Sequence, residues 1–144
     1  MSQAAGERNQ LIDNISKTGI VAIVDDDELA RQALDSLLKA AGFMTETFAS
    51  AEDFLDSIPM NSTTCLILDV RLPGISGIEL QRRLRSKNSG IPIIFVTAHG
   101  DVSTRERAMV GGAVGFLNKP VRQQALLDAI HAALECDQAG DKCS

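Results

Sequence analysis

Short apolar runs punctuate this chain, and the stretches between them carry apolar residues at helical spacing. Ile20-Val21-Ala22-Ile23-Val24 and the run from Thr64 to Leu68 read as strands buried on both faces. Ile91 to Val96 is a third such strand, with Pro92 at its start, where a missing N–H is tolerated. Ala113 to Leu117 is another, and Met44-Thr45-Glu46-Thr47-Phe48 alternates, as a strand nearer a sheet edge does.

Between the strands, Leu29, Ala33 and Leu37 recur at i, i+4 and i+8, with Leu34, Leu38 and Ala41 beside them, which predicts a helix with a wide apolar face. Asp27 and Glu28 suit its amino end, and Gly42 is a left-handed stop. Ser50 and Asp53 frame a short helix carrying Phe54, Leu55 and Ile58 and ended by Pro59. Ile78 to Arg85 follows, with Arg82, Arg83 and Arg85 facing solvent. Asp101 to Val110 is the weakest helix, being polar from Ser103 to Arg107 and closed by Gly111-Gly112. Val121 to Leu134 carries Leu126, Ile130, Ala133 and Leu134 on one stripe.

Strands alternating with helices imply an α/β fold, a parallel sheet covered on both faces and joined by right-handed crossovers. The expected organisation is an arm over residues 1–18, one domain over 19–136 and, over 137–144, a polar tail or the start of a linker. In the arm, Leu11, Ile12 and Ile15 leave a frayed segment and a short helical turn both open.

Composition narrows the function classes. The chain has 144 residues, 44% hydrophobic, with 3% aromatic and neither Trp nor Tyr, so Val, Ile, Leu and Ala must build the core. A net charge of -5 argues against direct nucleic-acid contact, which needs a basic stripe. Cys65 reads as a small core residue, and Cys136 and Cys143 lack metal-ligand spacing. With no signal-type apolar stretch and no run near the ~18 residues of a membrane span, the expectation is a cytoplasmic protein without membrane contact.

In a parallel sheet the carboxyl ends of all strands share one rim. Those ends carry Asp25 and Asp26, then Asp69, Thr97 and Lys119, while Pro73 and Gly74 stop the strand after Asp69. Asp69 alone could merely cap a turn. Crowded carboxylates repel unless something positive sits among them. A hard divalent cation relieves that, and Mg²⁺ prefers few carboxylates, waters and a phosphate oxygen. Lys119 and the Thr97 hydroxyl can each donate to phosphoryl oxygens, and a carboxylate can act as nucleophile to form an acyl phosphate.

Val24-Asp25-Asp26, Leu68-Asp69, Leu72-Pro73-Gly74, Val96-Thr97-Ala98 and Lys119-Pro120 together resemble the receiver domain of a two-component response regulator. Ser76-Gly77-Ile78-Glu79-Leu80 and Thr97-Ala98-His99-Gly100-Asp101 are similar to the subfamily that often carries a helix-turn-helix output domain. The resemblance implies a flavodoxin-like (βα)5 three-layer sandwich with strand order 2-1-3-4-5, the order already known for receivers. It implies that Asp69 accepts a phosphoryl group from a sensor histidine kinase, with Mg²⁺ (or Mn²⁺) held by Asp26, Asp69 and the Arg71 carbonyl, and by Asp25 through water. Lys119 would pair with Asp69 and then with its phosphate, Thr97 would bond the phosphate, and Phe116 would be the aromatic switch. The Lys119-Pro120 bond would be cis. Phosphorylation would favour a homodimer that controls an output, transcription above all, and the chain would be a signalling domain and not an enzyme.

Arg71 and His99, each two positions beyond a site residue, either tune the lifetime of the acyl phosphate or are solvated loop residues. His131 reads as surface. Two rivals remain. An aspartyl phosphatase would use Asp25 and Asp27, but no cap insertion follows them. A scaffold independent of phosphorylation usually lacks an acid or the lysine, and this chain keeps them all.

Overall fold

A computed structural model of the chain describes residues 19–57 and 62–139. Its elements run β1 (Ile20–Val24), α1 (Glu28–Ala40), β2 (Met44–Phe48), α2 (Ala51–Leu55), β3 (Thr63–Leu68), α3 (Gly77–Ser86), β4 (Ile93–Thr97), α4 (Val102–Val110), β5 (Gly115–Asn118) and α5 (Gln123–Ala139). The five strands form one sheet in the order β2-β1-β3-β4-β5, and every neighbouring pair is parallel. This is the expected doubly wound sandwich, and β2, the alternating strand, lies at its edge.

The strands bury residues on both faces because successive side chains point to opposite sides. Val21, Ile23, Cys65, Ile67, Ile94 and Val96 pack against Leu34 and Leu38 of α1 and Leu126 and Ile130 of α5. Their alternates Ala22, Val24, Leu66, Leu68 and Phe95 pack against Phe54 of α2, Leu80 and Leu84 of α3, and Ala108 of α4. Helix α4 contributes that single buried residue, in keeping with its polar sequence.

Side chains cap the starts of α1 to α4. Asp27 accepts from the N–H groups of Leu29 and Ala30, Ser50 from Asp53, Ser76 from Glu79 and Asp101 from Thr104. Gly42 takes the left-handed conformation after α1, at φ 96°.

Three expectations change. The wide apolar face expected of α1 is narrower than its sequence suggests: Leu34 and Leu38 are buried, Leu37 and Ala41 pack partly buried against the same cluster, and Leu29 is 78% exposed. Two apolar stripes overlap on this helix, and the sheet takes the one centred on Leu34. Ala33, Leu34 and Leu37 also line a groove with Val96, Lys119, Pro120 and Val121. The last helix begins at Gln123 and continues past the polar turn at Glu135 to Ala139. Strand β5 starts at Gly115, two positions later than its apolar run, because the Ala113 N–H still bonds back to Ala108. The readings of residues 1–18, of Ile58 and Pro59, and of Cys143 fall outside the described residues.

Candidate phospho-acceptor site

Ladder hydrogen bonds carry one residue beyond β1, β3 and β5 and thereby fix the rim. The Asp25 N–H donates to Phe48 O at 3.1 Å, the Asp69 N–H to Val24 O at 3.0 Å and the Lys119 N–H to Thr97 O at 2.9 Å. Residues far apart in sequence are thus delivered to one place by backbone pairing alone. Helix α3 closes in behind. The Gly77 N–H bonds to Val70 O at 2.9 Å, and a Cβ on Gly77 would stand 2.1 Å from the Asp69 carbonyl oxygen, so this contact needs glycine.

The side chains converge as the sequence predicts. Lys119 Nζ lies 2.6 Å from Asp25 Oδ2 and 3.0 Å from Asp69 Oδ2, so one ammonium serves two carboxylates. Asp25 and Asp69 are buried, whereas Asp26 is exposed at the mouth. Asp25 Oδ1 accepts from the Asp27 N–H, and Asp69 Oδ1 from the Arg71 N–H at 3.4 Å. Thr97 is fully buried, and its hydroxyl oxygen accepts from the His99 N–H at 3.1 Å.

Burial pushes the Asp25 carboxyl above the usual carboxylate range, against the opposing pull of the Lys119 and Asp27 hydrogen bonds. For Lys119, burial works against the charged form, but its hydrogen bonds to Asp25 and Asp69 outweigh it and raise the ammonium above its ordinary value. The lysine therefore stays cationic between the acids.

Carboxylate oxygens of Asp25, Asp26 and Asp69 all lie within 4.8 Å of one another. Three hard oxygen donors with one exposed member suit Mg²⁺, which keeps waters and binds through few carboxylates. The residues present therefore fit the cation.

The remaining candidates are placed less centrally. Phe116 is half-buried, tilted against Phe95 at 6.0 Å, and close to Gly100, where a Cβ would meet its ring at 2.6 Å. Arg71 and His99 are both exposed on the loops flanking the mouth. The Asp101 carboxyl lies below its usual range, chiefly because Thr104 donates to it, with a smaller contribution from the Arg71 charge. The Lys119-Pro120 bond is cis. His131 is exposed, with its ring 5.9 Å from Phe43.

A family model for the response regulator receiver domain matches residues 21–131. This chain belongs to that family. Nodulation protein W of Bradyrhizobium diazoefficiens is 49% identical over 123 residues, covering 85% of this chain and 54% of the relative. The transcriptional regulatory protein FixJ of the same organism is 42% identical over 116 residues, covering 81% and 57%. The solved structure of the response regulator StyR matches with a TM-score of 0.77 at 49% identity, over 83% of this chain and 61% of that one. The receiver thus spans about half the length of the curated relatives it matches.

Two residues around the receiver site escaped the sequence reading. Arg31 of α1 donates through Nη1 to the Asp25 carbonyl at 2.7 Å. Glu52 of α2 reaches the loop after β3, where Oε2 accepts from the Ile75 N–H at 3.1 Å. Both act across elements, and no local pattern marks them.

Proposed function

We propose that this receiver takes a phosphoryl group from the phosphohistidine of a sensor histidine kinase onto Asp69. The observation that carries the reading is the Lys119 ammonium held 3.0 Å from the Asp69 carboxylate, beside two further acids. An Asp69 carboxylate oxygen attacks phosphorus, the P–N bond breaks and the imidazole leaves. Later, water attacks phosphorus, the acyl-phosphate P–O bond breaks, and carboxylate and inorganic phosphate are released.

Mg²⁺, or Mn²⁺ in its place, would be held by Asp26, Asp69 and the Arg71 carbonyl, with Asp25 acting through water. When bound, the cation neutralises charge on the phosphoryl oxygens. Lys119 keeps a positive charge beside those oxygens. The Thr97 hydroxyl, whose oxygen already accepts from the His99 N–H, still has its own proton to donate to them.

Downstream, Phe116 and α4 respond. Phosphorylation shifts their populations towards a homodimer on the α4–β5–α5 face. The support is the thin anchoring of α4: Val102 and Val110 are 75% and 82% exposed, and Ala108 is its buried residue. The output is transcription, through a domain of the kind that fills the other half of such relatives, in the cytoplasm. The aspartyl-phosphatase reading loses ground because Asp27 is committed as the cap of α1.

Incubation with Mg²⁺ and acetyl phosphate followed by intact mass measurement tests the acceptor. The expected gain is one phosphoryl group, stable in acid and labile in base, and absent from Asp69→Ala. No gain, or a gain that survives that substitution, overturns the reading.

A further inference from the structure

Asp69 is joined to α3 by a loop, residues 70–76, that carries the Arg71 carbonyl proposed above as a cation ligand. The loop's ends are tied locally, by the Arg71 N–H to Asp69 Oδ1 and the Gly77 N–H to Val70 O. Its apex at Gly74 and Ile75 has a different support. There the Glu52 side chain crosses from α2, and Oε2 accepts the Ile75 N–H at 3.1 Å. Gly74 sits at φ +74°, and a Cβ on it would stand 2.2 Å from the same Oε2. The left-handed glycine and the carboxylate therefore fit together: one makes room for the other.

Glu52 is also costly to keep where it is. Its Oε1 is buried and has no hydrogen-bond partner among the described residues. A buried acceptor without a donor is unfavourable and calls for an explanation. Stability of α2 does not supply one, since Ser50 already caps that helix and Phe54 already anchors it in the core. The contact that Glu52 does make is with the loop leaving the acceptor.

We infer that Glu52 is a positioning residue, which holds the β3–α3 loop so that the Arg71 carbonyl faces the cation site before any cation arrives. This rests on the acceptor reading proposed above. Groups that orient the ligands of a metal are worth much of its affinity, because an unfixed ligand must be ordered at the moment of binding. Glu52 lies outside the acid cluster, so it acts through the backbone it grips and not as a ligand.

The experiment uses the whole chain, with Mn²⁺ as the probe and free Mn²⁺ followed by electron paramagnetic resonance. Amide hydrogen exchange of the metal-free protein is measured alongside. Glu52→Ala removes the acceptor oxygen. Glu52→Asp keeps the charge but shortens the reach to Ile75. Glu52→Gln keeps an oxygen for the Ile75 N–H. Expected is about a tenfold loss of Mn²⁺ affinity in the Ala and Asp variants, the low end for groups that orient metal ligands. Faster exchange should be confined to residues 71–76, and Glu52→Gln should stay within about twofold of the parent.

Wild-type affinity in Glu52→Ala overturns the inference. So does retention of affinity in Glu52→Asp, which would make the effect one of charge, or faster exchange spread over β1 and β3, which would make it general destabilisation. Should Glu52→Ala fail to fold, the Asp and Gln pair still decides between reach and charge. A parent chain that binds no Mn²⁺ and gains no phosphoryl group sinks the acceptor reading and this inference with it. A competent parent with indifferent Glu52 variants sinks this inference alone.

Discussion

Lys119 sits closer to Asp25 than to Asp69, at 2.6 Å against 3.0 Å. The lysine thus neutralises a buried acid that is not the acceptor, as well as the one that is. Removing it leaves Asp25 and Asp69 facing each other without a cation, and a buried charge stripped of its partner is strongly unfavourable.

In Lys119→Met, measured with a chelator present, stability should fall at neutral pH and recover as pH drops. Asp25 already lies above its ordinary 3.8 through burial, and loss of the ammonium drives it further up. Between the unfolded value and this raised native value the folded state binds more protons than the unfolded one, so stability declines as pH rises. Urea midpoints from pH 4 to 8 check this. A variant midpoint that tracks the parent at every pH refutes the shared-cation picture.

The two stripes of α1 should differ in energetic weight. Leu34 is 4% exposed and Leu29 78%. Leu34→Ala should cost about 2–5 kcal/mol through lost burial and a cavity. Leu29→Ala should stay within about 0.5 kcal/mol, as exposed positions do. Denaturant titration separates them, and equal losses would place Leu29 in the core after all.

Cys65 should be inert in the folded protein. Burial pushes its thiol up to about 12, so essentially no thiolate forms at neutral pH, and the group is also inaccessible. Peptide mapping after iodoacetamide should find residue 65 unlabelled in the native chain and labelled in denaturant. Labelling of the native chain at a comparable rate would contradict the burial.

Arg71 and His99 lie on the loops that follow the neighbouring strands β3 and β4 and are both exposed. Each substituted by alanine should shorten the acyl-phosphate half-life severalfold, a barrier change of about 1 kcal/mol, by opening the approach of water to Asp69. Timed loss of the phosphoryl mass tests each in turn. Unchanged half-lives would leave both as solvated loop residues.

What the sequence by itself determined is the set of strands and their ends. Short apolar runs between helical stretches make strands covered on both faces, and a parallel sheet places all the ends on one rim. Asp25, Asp26, Asp69, Thr97 and Lys119 were therefore legible from the chain alone, as were the helix starts at Asp27 and Ser50, because each signal lies within a few residues along the chain. Tertiary structure decided the rest. Periodicity said that α1 is apolar but not which of two overlapping stripes meets the sheet, since that is set by where β1, β3 and α5 lie around it. Likewise, the division of Lys119 between two acids, the grip of Arg31 on the Asp25 carbonyl and that of Glu52 on the loop at Ile75 are contacts between elements. They depend on side-chain reach from one element to another, which no local pattern of hydrophobic and polar residues encodes.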